Sequence, residues 1–594
     1  MSHPPFLPMT REELDALGWD TIDVLLISGD DYFDSPTHGI AVIGRVLAGA
    51  GFRVAIIARP DWTQPDSLTV LGRPRLFVGI GAGAVDSTLN NYTADLAPRK
   101  TDVYAHVSSF RRPNFATAVY CGAAKAAFPG IPIVLGGVEA STRRFAYYDY
   151  LKKTVRRSVL VDTRADILVF GGGERTVLDI AHRLSRNESI MNIDGTAVLA
   201  RETPPNAIPL PAYVDILKRN ELLVRQTHLL EIGLGPYKRE TFYQQYEEGV
   251  VLCHPPRQTT PEDLDFVHSL PFQRTTHPSY LKKSNDEIPA SIPVRWSIVT
   301  QRGCPGGCSF CALAYHQGRE VFSRSEASIT GEIIRLGQQV DFVGTITDVG
   351  GPTANAYGLT YGDKGKCQQC ERVSCFYPRI CSNLNTSQQR FIDLLKTIRR
   401  LPGIKHVYIA SGIRHDLALR NRAFISLLAQ SFTGGHLKAA PEHTDEAVLK
   451  LMRKPPITTF EEFEKCFLEE SKKWGLTQYV VPYFISGFPG CTQDAANNSG
   501  AWLKRRNQRL QQVQNFIPLP GTMAAAMYAA GKNESGQPLY IPDATERRRQ
   551  KSLLVGKLKD IRVRKKRSNR RTEAEALGKR PARSDSRSPV ARKR

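Results

Sequence analysis

Apolar residues in this chain come in short runs, and glycines follow most of them. Residues 23–28 are a strand-like apolar run, residues 39–48 carry a helical pattern, and residues 51–57 return to strand. Strand, helix and strand within about 35 residues make a βαβ unit. Further strands are predicted at 75–80, 133–135 and 167–170. Each runs into glycines: Gly79, Gly81 and Gly83, then Gly136 and Gly137, then Gly171, Gly172 and Gly173. Glycine at the C-terminal edge of a parallel sheet lets a ligand come close to the backbone. Residues 1–205 therefore read as an α/β, doubly wound, Rossmann-like domain. Residues 206–288 read as a helical connector, with Cys253, His254, His268 and His277 as ordinary surface or core residues. From 289 to 545 the β/α alternation returns. Its strands are predicted at 294–300, 342–349, 406–411, 436–439, 479–485 and 514–518, with amphipathic helices such as 391–399 and 446–452 between them. Six such units suggest a partial (β/α)6 barrel, open on one side, with functional groups at the C-terminal strand ends.

A chain of 594 residues is too long for one ordinary domain, and 41% hydrophobic with 23% charged residues is a soluble globular composition. No run of about 18 apolar residues suggests a membrane span, and the first residues lack the pattern of a signal peptide. Eleven cysteines in that setting suggest a cytoplasmic, reducing location and metal binding rather than disulfides. The net charge of +22 is uneven. Residues 546–594 hold 20 Lys/Arg against 5 Asp/Glu, a net of +15, which leaves +7 for everything before them. That tail is poor in large apolar residues and is expected to be disordered. Its charge would attract a phosphate backbone such as RNA, without aromatic residues to stack on bases.

The chemistry concentrates at Cys304, Cys308 and Cys311, spaced C-x3-C-x2-C, with Gly303, Gly306 and Gly307 between and beside them. Zinc usually takes four ligands, often as two separated pairs. This loop offers three, which suits three corners of a [4Fe–4S] cube and leaves the fourth iron open. A second group, Cys367, Cys370, Cys375 and Cys381, falls in a Gly- and Lys-rich insert at 363–385. Four thiols complete a site for zinc or for an auxiliary iron–sulfur cluster, and spacing does not choose between them.

The C-x3-C-x2-C loop, with Phe310 before its last cysteine, resembles the signature of radical S-adenosylmethionine (SAM) enzymes. The wider sequence looks like the YgiQ-type branch of that family, over nearly all of the chain except its tail. The resemblance implies that the open iron chelates SAM. It also implies that a one-electron donor such as flavodoxin or ferredoxin drives cleavage to a 5′-deoxyadenosyl radical. The first domain is similar to the cobalamin-binding-like domains that precede many radical SAM cores. Histidine-ligating versions carry Asp-x-His-x-x-Gly, whereas here Asp34, His38 and Gly39 have a different spacing. Cobalamin is thus the lesser alternative to a degenerate Rossmann-like domain. Gly350 and Gly351 resemble the family's Gly-Gly loop for the SAM amino group, without its usual acidic residue. Ser411 and Arg414 are candidates for the SAM carboxylate or ribose, because guanidinium is a fixed fork for carboxylate. Lys438, Glu442 and His443 cluster at a strand end, where they could contact SAM or move a proton, while Thr444 is a candidate helix cap. Gly487 resembles the glycine motif that packs on adenine. The leading expectation is a radical SAM enzyme of unknown substrate. The alternatives are an RNA-associated iron–sulfur or redox-sensing protein without SAM turnover, and a tRNA- or rRNA-modifying radical enzyme.

Overall fold

The computed structural model describes residues 4–510 and 513–555. The strand Ile22–Ser28 is buried along its whole length, as a strand covered on both faces must be. It pairs in parallel with Val54–Ala58 on one side and Pro74–Gly81 on the other. Ile133–Gly136 and Ile167–Val169 continue the parallel order. Chain order therefore reverses at Ile22–Ser28, and in sheets of this kind the ligand crevice lies at such a reversal. Successive residues point to opposite faces. Leu25 and Ile27 pack with Tyr120 and Ala124 of the helix Ala116–Ala127. Leu26 and Val24 pack with Leu47 of Gly39–Gly49 and Ile180 of Glu174–Ser185. The mixed α/β class and the large parallel sheet expected from the sequence are present.

The stretch expected as a helical connector differs from expectation. It carries the helices Glu221–Gly233 and Pro261–Ser269, but also the strands Ile208–Pro209, Phe242–Tyr246 and Gly249–Cys253. Through the antiparallel strand Thr196–Ala200 these extend the first sheet to nine strands. The inward row of Phe242–Tyr246 includes a polar side chain, Gln244. Its buried amide is satisfied by the Ala146 amide, the Pro211 carbonyl and Gln226, at 2.6–2.8 Å. A core glutamine of this kind hides the alternation by which a strand is recognised.

The second half is a run of parallel pairings in chain order. Ser297–Val299 pairs with Asp348–Gly350, and Thr345–Ile346 with His406–Val407. A single bridge, Ile413 to Ala439, leads to His436–Glu442. That strand pairs with Tyr479–Ser486, which in turn pairs with Gln514–Asn515. Buried Ile298, Val349, Leu437, Ala439, Val480 and Phe484 face a helical layer that includes Phe391, Phe424 and Phe460. Their neighbours in the alternation, Lys438, Ala440 and Glu442 among them, lie on the other, more open face. Residues 294–296, expected to begin the first strand, instead close a short helix, Ser291–Val294.

The tail expected to be disordered from 546 begins as helix. Ala544–Leu554 is closed by a capping box between Asp543 and Glu546, and it buries Arg547, Gln550 and Leu554. The rest of that basic segment, 556–594, lies outside the described residues. No helix among the described residues is long and apolar enough to cross a membrane.

Candidate functional site

The cysteine loop follows the strand Ser297–Val299 and is braced from several directions. Gly307 has φ +63°, and a Cβ there would stand 2.1 Å from the Val373 carbonyl oxygen. Only glycine tolerates both the backbone angle and the approach. Ser309 donates from its hydroxyl to Leu451 O (2.6 Å) and from its amide to Met452 O (3.2 Å). Its own carbonyl accepts from Ala524 N at 2.8 Å. Arg453 Nη1 reaches Gly307 O at 3.3 Å while its guanidinium pairs with Glu231 and Glu534 at 2.8–2.9 Å.

The three thiols are half-buried neighbours. A Cβ on Gly306 would lie 3.3 Å from Cys304 Sγ and 3.8 Å from Cys308 Sγ, so glycine keeps the space between those sulfurs clear. Cys304 Sγ also meets Thr353 Oγ1 at 3.4 Å. Burial raises the Cys304 thiol. Burial, with the charges of Cys308 and Cys304 adding to it, pushes Cys311 up to about 12. Ionising Cys304 and Cys311 needs positive charge beside them, which a bound metal supplies. The Arg414 guanidinium gives part of it, standing 3.4 Å from the same point on Gly306. Burial alone would lower the Arg414 pKa, but Asp416 and the Cys308 and Cys304 sulfurs outweigh that and raise it. No three His, Cys, Asp or Glu side chains among the described residues converge tightly enough to hold one metal ion. What the loop does offer is three thiols, with the space beside Gly306 left clear.

The other residues singled out from the sequence fall in different places. Gly350 packs on Ser411, and Gly351 lies against Gln301. Ser411 is tied down, its amide donating to Asp348 Oδ1 at 2.9 Å and its hydroxyl to Asp348 Oδ2. Arg414 is turned to the cysteines, bonded to Asp416 at 2.9 Å and stacked 4.3 Å from the Phe376 ring. Lys438 is exposed on the open face of its strand. Glu442 has φ +72° and sits 3.7 Å from Lys454 Nζ. Burial raises its carboxyl, with Lys454 opposing, and its charge is felt at Cys311. Gly487 approaches Arg547, where a Cβ would stand 2.7 Å from the arginine side chain.

Two expectations for this strand end need correction. His443 is buried, accepts from Asp445 N at 3.0 Å and lies 3.4 Å from Cys491 Sγ, so it faces the core. Asp445, not Thr444, caps the next helix, because the Thr444 hydroxyl is engaged with Ser499 at 2.7 Å. The second group, Cys367, Cys370, Cys375 and Cys381, lies next to the first loop: Cys375 N donates to Pro305 O at 2.9 Å.

Between the two halves lies a cavity of about 530 Å³. One wall is the C-terminal edge of the first sheet, at Ser28, Gly81, Gly136 and Gly171. The other is Gln301, Arg302, His316, Gly351 and Pro352. Arg302 pairs with Glu174 across it. Burial alone would raise the Glu174 carboxyl, but Arg302 holds it below its usual range. Sequence reasoning missed Thr353, Asp348 and Arg453 because each acts through a partner distant in the chain. Glu174 directly follows Gly171, Gly172 and Gly173, and its partner Arg302 lies 128 residues further on.

Residues 6–297 match the family model described as Radical SAM N-terminal. The UPF0313 protein of Thermotoga neapolitana is 44% identical, over 90% of this chain and 96% of the relative. The UPF0313 protein of Rhodopseudomonas palustris is 41% identical, over 89% and 82%. The UPF0313 protein YgiQ of Escherichia coli is 39% identical, over 93% and 84%. The chain belongs to the UPF0313 (YgiQ) family. Among solved structures, the radical SAM methyltransferase TsrM from Kitasatospora setae aligns over 86% of this chain and 76% of its own. That alignment has 15% identity and a TM-score of 0.48.

Proposed function

We propose that this chain is a radical SAM enzyme in which Cys304, Cys308 and Cys311 hold a [4Fe–4S] cluster and SAM binds beside it. The observation that carries this reading is the trio of thiols on one braced loop, with Gly306 clearing the space between two of them. Such a cluster, when bound, supplies one electron to the sulfonium of SAM. The chain's own residues do the rest. Thr353 and Arg414 stabilise charge on the sulfurs. Gly351 offers a backbone carbonyl to the SAM amino group, whereas the Gly350 carbonyl is taken by the Thr300 amide at 2.8 Å and its hydroxyl at 3.3 Å. Asp348 fixes Ser411 so that its loop can border the SAM carboxylate or ribose. Lys438 and Glu442 share the open strand face, where Glu442, raised by burial, can hold or release a proton.

The electron comes from a small one-electron carrier such as flavodoxin or ferredoxin. The cavity between the sheet edge and the Gly351–Pro352 turn takes the substrate, because it joins the sheet's ligand crevice to the SAM side. Cobalamin held through histidine is not the favoured occupant. Asp34, His38 and Gly39 do not have the Asp-x-His-x-x-Gly spacing of histidine-ligating domains. A second reading, an RNA-modifying radical enzyme, draws on the +15 charge of residues 546–594.

The test is anaerobic reconstitution followed by dithionite and SAM. Methionine and 5′-deoxyadenosine are expected, and Cys304→Ala is expected to stop their formation. Cleavage at the wild-type rate in that variant refutes the assignment.

A further inference from the structure

The cavity between the two halves is built in a way that limits what can fill it. Side chains along each strand of the first sheet alternate between its faces. On the face towards the helices Gly39–Gly49 and Glu174–Ser185, Leu26, Phe77, Val134 and Val169 belong to the core and form the cavity floor. The next residues of the same alternation are Ser28, Gly79, Gly136 and Gly171. Large side chains stop there, and the space they leave is the cavity of about 530 Å³. Ile40, Ile43 and Val177 of the two helices close it from the opposite side. Its volume falls in the range of small-molecule sites.

Two of its glycines are explained by neither backbone nor packing. Gly171 has φ +74°, which favours glycine. Gly81 and Gly136 are not in that region, and Gly136 is extended, with φ −158°. A Cβ on Gly81 would have its nearest neighbour at 3.8 Å, Gly136 O, and a Cβ on Gly136 would have its nearest at 4.0 Å, Val169 O. Both are ordinary contact distances, so a side chain would be tolerated at either position. What the two glycines contribute is the open space.

The charges in the wall cancel. Arg302 bonds Glu174 across the cavity, and among the described residues no other Lys, Arg, Asp or Glu lines it. Burial pushes His38 and His316 down to about 4, so both are neutral at neutral pH. The helix end at Glu174 already has that carboxylate in its first turn, which repels a second anion. The helix end at Gly39 is joined by no unpaired cation. A phosphate or carboxylate entering here would lose its water without gaining a counter-charge. The free polar group is a neutral one: His316 holds Ser141 Oγ through Nδ1 at 3.0 Å, and its Nε2 has no partner among the described residues.

We propose that this cavity binds an uncharged, mainly apolar small molecule, and that it excludes the nucleotides that glycine-edged sheets of this kind commonly take. That the bound molecule is the substrate rests on the radical SAM reading; that the cavity selects for apolar, uncharged ligands does not.

The test titrates the full, anaerobically reconstituted chain with N-phenyl-1-naphthylamine, an uncharged apolar fluorophore, and with its 8-sulfonate, the same skeleton carrying a negative charge. The uncharged probe should bind once per chain. Gly136→Leu fills the cavity and should weaken that binding by about tenfold or more with Tm unchanged. Gly81→Leu is the second filling variant, should the first fail to fold. The part of the sulfonate signal that filling removes should report binding at least about tenfold weaker than that of the uncharged probe. Glu174→Gln leaves Arg302 unpaired, so it should strengthen the sulfonate and narrow that gap. Adenosine diphosphate should not displace the uncharged probe. Three results overturn the proposal: uncharged probe bound as tightly by the filled variants as by wild type, sulfonate bound in the cavity as tightly as the uncharged probe, or displacement by the nucleotide. Cys304→Ala should bind the uncharged probe as wild type does. Probe binding without any SAM cleavage in the wild type would therefore count against the radical SAM reading and leave the cavity assignment standing.

Discussion

The strand that leads into the cysteine loop depends on one buried carboxylate. Glu332, in the helix Glu326–Gly337, accepts from Arg324 Nη1 at 2.5 Å and from Arg274 Nη2. The side chains of Arg324 and Arg274 are 0% and 3% exposed. Both carry the interaction onward to backbone. Arg274 Nη1 donates to Arg295 O and Ser297 O at 2.9 Å, and Arg324 Nη1 to Val299 O at 2.8 Å. Burial alone would raise the Glu332 carboxyl, but the two guanidiniums outweigh it and hold the pKa well below the carboxylate range. Glu332→Gln keeps the shape and removes the charge, leaving two buried cations without a partner. Breaking such a pair costs about 3–5 kcal/mol, and the remaining amide hydrogen bond returns about 1 kcal/mol. A net loss of about 3 kcal/mol corresponds to a Tm drop of roughly 6–12 °C for a unit of this size.

Thermal and urea unfolding of the anaerobic protein would read this loss. The pH dependence gives a second check with a definite sign. Glu332 is depressed below its ordinary 4.5 in the folded state. Its contribution is therefore complete above that pH and is lost as the pH falls towards the folded pKa. The gap between wild type and Glu332→Gln should narrow on acidification. A loss under about 1 kcal/mol at neutral pH, or a gap that widens in acid, would refute the reasoning.

Arg453→Met should cost about 3 kcal/mol and speed the loss of iron to a chelator, because Glu231 and Gly307 O lose their donor. Burial already raises Glu231 against the pull of Arg453; without Arg453 it rises further, so the penalty should grow as pH increases, and a penalty that shrinks would count against the clamp. Removing residues 556–594 should abolish salt-sensitive RNA binding in fluorescence anisotropy while SAM cleavage persists. Unchanged RNA affinity in the truncated chain would remove the tail from the account.

Much of the first sheet was legible because its strands are continuous apolar runs, buried on both faces. The run expected at 23–28 is the strand Ile22–Ser28, and the helix expected at 446–452 is Glu446–Met452. The hairpin Phe242–Tyr246 with Gly249–Cys253 was not legible, because Gln244 occupies a core position and only its distant partners make that tolerable. At the strand end around Glu442, residue types pointed to polar chemistry but could not give direction. Whether His443 faces the site or the core is decided by Cys491, 48 residues away in sequence. Local pattern reports period and composition; it does not report which long-range partner claims a side chain.

The same distinction explains why the cysteine loop is built as it is. Gly307 O is held by Arg453, 146 residues further on, and Arg453 is itself held by Glu231 of the extended first sheet's connecting region and by Glu534 near the end of the described chain. Ser309 O accepts from Ala524, and Pro305 and Gly306 accept from the cysteine-rich insert. Loop carbonyls that would otherwise need water are thus each given to a different part of the molecule. A loop so tied opens only when several elements separate together, because its bonds are not local. Rigid placement of sulfur is what a cluster demands of its ligands, since a loosely held loop must lose conformational entropy each time the cluster binds. The loop's glycines then have two separate tasks: Gly306 leaves room beside the sulfurs, and Gly307 lets the insert press close. Both follow from the surroundings, and neither is visible in the spacing of the three cysteines.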